Sequence, residues 1–175
     1  MAVKRGFHKT TKGESDMNHN KLAIQLKAVI IGVAVFGLMV YLWIVPMLGK
    51  SIASMAPEFS HAFMPWLLFL WATGIPCYAA LVFAWKIAAN IGRDNSFCRE
   101  NGYLMNRIAR LAVADGIFFF LGNLVLLFAG INHPGIVIVS IFVTCIAMGI
   151  FVAASALSHL IMEATDLQEQ SDLTI

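Results

Sequence analysis

The stretch VIIGVAVFGLMVYLWIVPML, running from Val29 to Leu48, holds 20 residues without a charge. A bilayer core about 30 Å thick is crossed by roughly 20 helical residues rising about 1.5 Å each. This run is therefore long enough to span a membrane, and three others match it. Phe63 to Trp85 has no charge over 23 residues, Leu111 to Ala129 carries one acid, Asp115, and Gly135 to Leu160 has no formal charge and one histidine, His159. A bilayer offers no water to backbone N–H and C=O groups, so such runs cross it as helices. The predicted fold class is all-α: a four-helix transmembrane bundle with spans at about 29–48, 63–85, 111–129 and 135–160. Composition agrees. The chain is 59% hydrophobic and 13% charged, where a soluble domain carries about a quarter charged residues. Core helices of a soluble protein would need polar faces that these runs lack.

The basic residues give the orientation. Lys4, Arg5, Lys9, Lys12, Lys21 and Lys27 precede the first run, and Lys86, Arg93, Arg99, Arg107 and Arg110 lie between the second and third. The other side has Lys50 alone. Basic loops stay inside, so both termini and the central loop are expected in the cytoplasm. The same charges suit anionic lipid and topology, and no direct nucleic-acid binding is expected. The first run does not read as a cleaved signal peptide, because it starts inside the chain and lacks a small-x-small site. Cys77, Cys98 and Cys145 form no CxxC motif, so neither a disulfide nor a structural zinc is expected.

Residues 1–19 are polar and read as a disordered tail. Residues 20–162 make the membrane domain, and 163–175 an acidic cytoplasmic tail with four acids and no base. That tail shares its side with the basic loop, so a charge contact between them is expected. Gly92 suits a left-handed cap on helix two, and Asp94, Asn95 or Ser96 can cap the next helix. Helical spacing from about Phe97 predicts that helix three extends into the cytoplasm before its apolar run. Gly130-Ile-Asn-His-Pro134 predicts a tight turn, making helices three and four an antiparallel hairpin. Pro76 is expected to kink helix two.

Candidate intramembrane polar contacts are Asp115, Asn123, Thr144 and His159. An ionised Asp inside a span is costly. Asp115 and His159 are expected at similar depth, where they can meet as a clamp or a proton-sensitive pair. Asn123 suits a bond to Ser140 or Thr144. Cys145, Gly149 and Ala153 recur every four residues, as a seam for close helix contact does. No catalytic triad, HExxH or phosphate-cradling loop is present, so no catalytic, cofactor or metal site is expected. His61 and His133 lie outside together but lack a third ligand.

The loop NIGRDNSFCREN (Asn90 to Asn101) and the ending LQEQSDLTI (Leu167 to Ile175) together resemble a bacterial family of small four-span membrane proteins, the domain of unknown function 2975. The likeness rests on Gly92 and Phe97 in the loop and on the acidic Asp-Leu-Thr-Ile end. It implies a multi-pass protein of the bacterial cytoplasmic (inner) membrane. Members are often encoded beside a small helix-turn-helix regulator, which implies a membrane protein acting through a cytosolic transcription regulator. The expected interaction surface is Gly92, Arg93, Phe97, Arg99, Asp172, Leu173, Thr174 and Ile175. A free acidic and apolar end can be captured by a groove, or Leu173 and Ile175 can fold back onto Phe97 and Leu104. Self-association as a homo-oligomer stays open. Two other functions remain: a small-solute or proton-coupled transporter using Asp115, Asn123 and His159, and an immunity-like or envelope-stress protein acting through the outer loop around Glu58 and His61.

Overall fold

The computed structural model describes residues 2–55, 61–93 and 95–172, with side chains described from Asn20 onward except at 52, 53, 55 and 172. The helices are α1 (Ala2–Met39), α2 (Val45–Met55), α3 (Phe63–Ile91), α4 (Arg99–Phe128) and α5 (Pro134–Asp172), with a π-helical turn, Val40–Ile44, joining the first two. Four stretches are long and apolar enough to cross a membrane: Asn20–Ser51, Phe63–Ile91, Arg99–Phe128 and Pro134–Ser171. Each covers one of the expected spans. Four crossings joined by short connections bring both ends of the bundle to one side. Among the described residues each span touches only its chain neighbours, the first on α3, α3 on α4, and α4 most extensively on α5. The bundle is thus a row, open between its first and last helices.

Burial is inverted relative to a soluble protein. The buried residues include Ala88, Ala109 and Ala154 with Thr73, Asn101, Asn123, Ser140 and Ser158, whereas Phe36, Trp43, Ile75, Phe128 and Ile146 are exposed. Lipid tails solvate large apolar side chains as well as another helix does, so small residues and internally bonded polar ones make the contacts.

Periodicity explains the α4–α5 contact. Gly102, Ala109, Gly116 and Asn123 recur every seven residues on α4, and all are buried. On α5 two rows of the same period face them: Ser140, Ala147, Ala154 and Ile161, and Thr144, Phe151, Ser158 and Thr165. A period of 3.5 keeps one stripe facing the partner along a supercoil. The row Cys145, Gly149 and Ala153 does not form the seam. All three are exposed, and a Cβ built on Gly149 meets nothing within 4 Å. Steps of four residues advance 400°, so such a row winds off a seam that repeats every 3.5.

The first span passes Pro46 through its π turn. The Val45 N–H bonds to the Val40 carbonyl, one residue further back than in an α-helix. The carbonyl of Tyr41 then has no donor from Val45, and Pro46 has no N–H to give. The Trp71 indole on α3 supplies the bond, 3.0 Å from Nε1 to that oxygen. Trp71 is thus a donor to the backbone of the first span. α3 itself continues through Pro76 to Ile91.

Several element ends lie elsewhere than the sequence alone places them. The backbone of α1 is helical from Ala2. At the other end α5 runs unbroken through the expected boundary at 162 to Asp172. Gly92 is right-handed, with φ −68°. Its use is close approach, because a Cβ there would lie 2.9 Å from that of Ala23 on α1. The left-handed glycine is Gly130, φ 72°. There Ile131 N–H bonds to Leu126 O and Gly130 N–H to Leu127 O, the paired bonds of a Schellman end. Pro134 then opens α5, giving the expected tight turn.

Candidate functional site

One end of the bundle gathers most of its polar side chains. Ala23 of α1 meets Gly92, Lys27 Nζ sits 5.5 Å over the Trp85 ring, and the start of α4 lies against the end of α5. The α3–α4 connection is folded by two asparagines. Asn90 O accepts the N–H groups of Arg93 and Asn95, both at 3.1 Å. Asn101, 1% exposed, donates from Nδ2 to Ser96 O at 2.9 Å and Asn95 O at 3.3 Å. Its Oδ1 accepts from Asn90 Nδ2 at 2.9 Å. The N-cap is Cys98, extended and without a side-chain bond, so the expected caps at Asn95 and Ser96 are not used. Asp94 lies outside the described residues. Asn101 instead reaches back from the first turn and holds the loop's carbonyls.

This leaves Phe97 59% exposed beside Arg99. The Arg99 guanidinium spans to α5, 2.8 Å from Asp166 Oδ1 and 3.1 Å from Glu169 Oε2, with Nε 3.3 Å from Glu169 Oε1. The charge contact expected between loop and tail takes this form. Between the loop and α5 lies an open groove of about 310 Å³, lined by Phe97, Arg99, Thr165, Gln168 and Glu169 among others. That volume is at the lower bound of ligand sites. One turn on, Ser158 donates to Gly102 O at 2.8 Å. Arg93 is exposed. The Asp172 side chain and Leu173, Thr174 and Ile175 lie outside the described residues.

The intramembrane candidates do not form one cluster. Asp115 Oδ2 accepts from Cys77 Sγ at 3.5 Å on α3, and its Oδ1 is buried without a partner. His159 is not near it. His159 has an 83% exposed side chain and lies 3.9 Å from Glu163 on its own helix. The seam gives the reason. Gly116 sits against Thr144 and Ala147, so the depth of Asp115 falls near residue 147 of α5. His159 is twelve residues further on, about 18 Å at roughly 1.5 Å per residue. Asn123 donates to Phe119 O at 2.8 Å and accepts from Asn132 of the turn at 3.0 Å, not from α5. The Thr144 hydroxyl lies 2.8 Å from Ser140 O and 3.1 Å from Gly116 O, tying the two helices. His133 Nδ1 accepts the Gly135 N–H at 3.0 Å and so caps α5. No cluster of three metal-capable side chains occurs among the described residues.

Asn90, Asn101, Asn132, Cys77 and Ser158 are not among the contact residues expected from the sequence. The seven-residue row Thr144, Phe151, Ser158 and Thr165 carried a signal for Ser158. For the asparagines nothing local distinguishes a buried side chain from a solvated one.

No solved structure matches the chain. It is 29% identical over 154 residues to the uncharacterized membrane protein YoaS of Bacillus subtilis (strain 168), covering 87% of this chain and 95% of that protein. Residues 47–175 match the family described as protein of unknown function DUF2975, which takes in α3, α4, α5 and the connection between α3 and α4. With four membrane-capable helices and that match over most of its length, the chain belongs to the DUF2975 family of membrane proteins.

Proposed function

We propose that this chain is a non-enzymatic protein of the bacterial cytoplasmic membrane that docks a small cytosolic helix-turn-helix regulator on its polar end. The observation that carries the reading is Phe97. A large apolar side chain stands exposed on a connection that Asn90 and Asn101 hold rigid, beside an open groove and the end of α5. Rigid apolar anchors with a polar surround are what interfaces use. The positive-inside bias supports a cytoplasmic placement of this end and of both termini. The regulator as partner rests on the family resemblance carried by Gly92, Phe97 and the Asp-Leu-Thr-Ile end. Any contact with DNA is then the regulator's.

Crosslinking in native membranes followed by purification tests this. A cytosolic helix-turn-helix protein is expected to co-purify, and to be lost with Phe97→Glu or on deletion of Asp172 to Ile175. Recovery of the same partner from both variants overturns the docking site. A second reading, a proton-coupled transporter, is favoured by the buried, unpartnered Oδ1 of Asp115. It predicts flux in proteoliposomes that disappears in Asp115→Asn.

A further inference from the structure

Lys86, Arg107 and Arg110 bring three positive charges to the polar end, and no described acid answers them. The acids nearby are engaged elsewhere. Glu100 accepts from Asn90, Glu163 faces His159, and Asp166 and Glu169 hold Arg99. The three cations are exposed, yet one of them is seated. Arg107 of α4 lies with its guanidinium carbon 5.8 Å from the centre of the Phe83 ring on α3. Lys86 is three residues past Phe83 and shares its face of α3. Arg110 is three residues past Arg107 and shares its strip of α4. In this antiparallel pair the three therefore lie on the side of the α3–α4 contact where Arg107 meets Phe83. Lys86 and Arg110 lie about 4.5 Å to either side of the Phe83–Arg107 contact, at about 1.5 Å per residue.

The depth is that of a headgroup. Trp85, with Lys27 over it, marks the end of the apolar run, as interfacial tryptophans do. Towards the bilayer middle the same faces turn apolar. Ile75 and Val82 lie on the Lys86 side of α3, Ile117 and Leu121 on the Arg110 side of α4, and all four are exposed. A site with cations at its rim and an apolar flank running inward matches a lipid, not a free anion. A contact with a ring gives the guanidinium's N–H donors no acceptor oxygen, so they stay available to an anion. A phosphate oxygen pair can take two of them at once. Basic pockets between spans on the cytoplasmic side hold anionic headgroups in this way.

We infer that this side of the α3–α4 contact binds the phosphodiester headgroup of an anionic phospholipid, with Arg107 and Arg110 on the phosphate and Lys86 at the outer rim. This site is separate from the Phe97 surface and does not depend on a regulator.

The test uses the full chain in vesicles of phosphatidylcholine, with or without phosphatidylglycerol. The expected result is a higher Tm with phosphatidylglycerol, and retained phosphatidylglycerol in native mass spectra. Both are lost in Arg107→Gln/Arg110→Gln, whose Tm in phosphatidylcholine stays that of the wild type. Lys50→Gln, at the other end of the bundle, keeps both. Equal Tm in the two lipids overturns the site, as does an undiminished effect in the double variant or its loss in Lys50→Gln. So does inorganic phosphate alone reproducing the rise in phosphatidylcholine. Should the double variant not fold, the wild type carries the test. Retention of phosphatidylglycerol over phosphatidylethanolamine upholds the site, and equal retention overturns it.

Discussion

Asn101 does with one buried amide what a capping residue normally does from outside the helix. It bonds two loop carbonyls and the Asn90 side chain. Asn101→Ala leaves those groups without partners, and an unsatisfied buried polar group costs about 1–3 kcal/mol. The expected outcome is a lower thermal midpoint in detergent together with faster alkylation of Cys98 in the loosened loop. Trp71 plays the corresponding part in the membrane. Trp71→Phe keeps the ring but strands the Tyr41 carbonyl, and a loss of about 1–3 kcal/mol is expected by the same rule. Neither residue stands out in sequence. Nothing near Asn101 says that it is buried, and Trp71 reads equally well as a packing residue.

At the scale of elements, the π turn and the seam each make a claim that can be checked. If Pro46 is why Tyr41 needs an outside donor, Pro46→Ala restores an N–H and lets the turn relax. Trp71→Phe is then expected to destabilise less in the Pro46→Ala background than in the wild type, a coupling that a double-mutant cycle reads directly. The seam predicts opposite signs for two similar substitutions. A Cβ on Gly116 would stand 2.7 Å from that of Ala147, and overpacking of that kind costs about 1–3 kcal/mol. Gly149 has open space around it, so Gly149→Ala is expected to gain the roughly 0.5–1 kcal/mol by which alanine favours helix over glycine. Thermal unfolding of the two variants decides it. A seam along Cys145, Gly149 and Ala153 requires the signs to be reversed. The small residues of α5 were visible in the sequence, but their contact face depends on a period of 3.5 against 4. Only the partner helix, with its own seven-residue row, selects one.

For the whole molecule, orientation is the property that gives the polar end its meaning. With Cys77 and Cys145 replaced by alanine, Cys98 becomes the sole thiol. A membrane-impermeant maleimide is expected to leave it unlabelled in intact spheroplasts and to label it after permeabilisation; labelling before permeabilisation reverses the topology. The sequence by itself determined that there are four spans, where they lie, and that the third and fourth form a hairpin. Those features follow from uninterrupted apolar length and from turn residues, which are local. Tertiary structure alone decided which polar side chains meet. Asp115 and His159 read as neighbours when each is placed by its distance from the membrane edge. The seam separates them, because α5 continues as helix far past its apolar run and the depth of a residue depends on how the two helices are set against each other. The same is true of Arg99 with Asp166 and Glu169, and of Asn90 with Asn101. Their charges and amides were plain in the sequence, but their pairing waits on the register of one helix against the next.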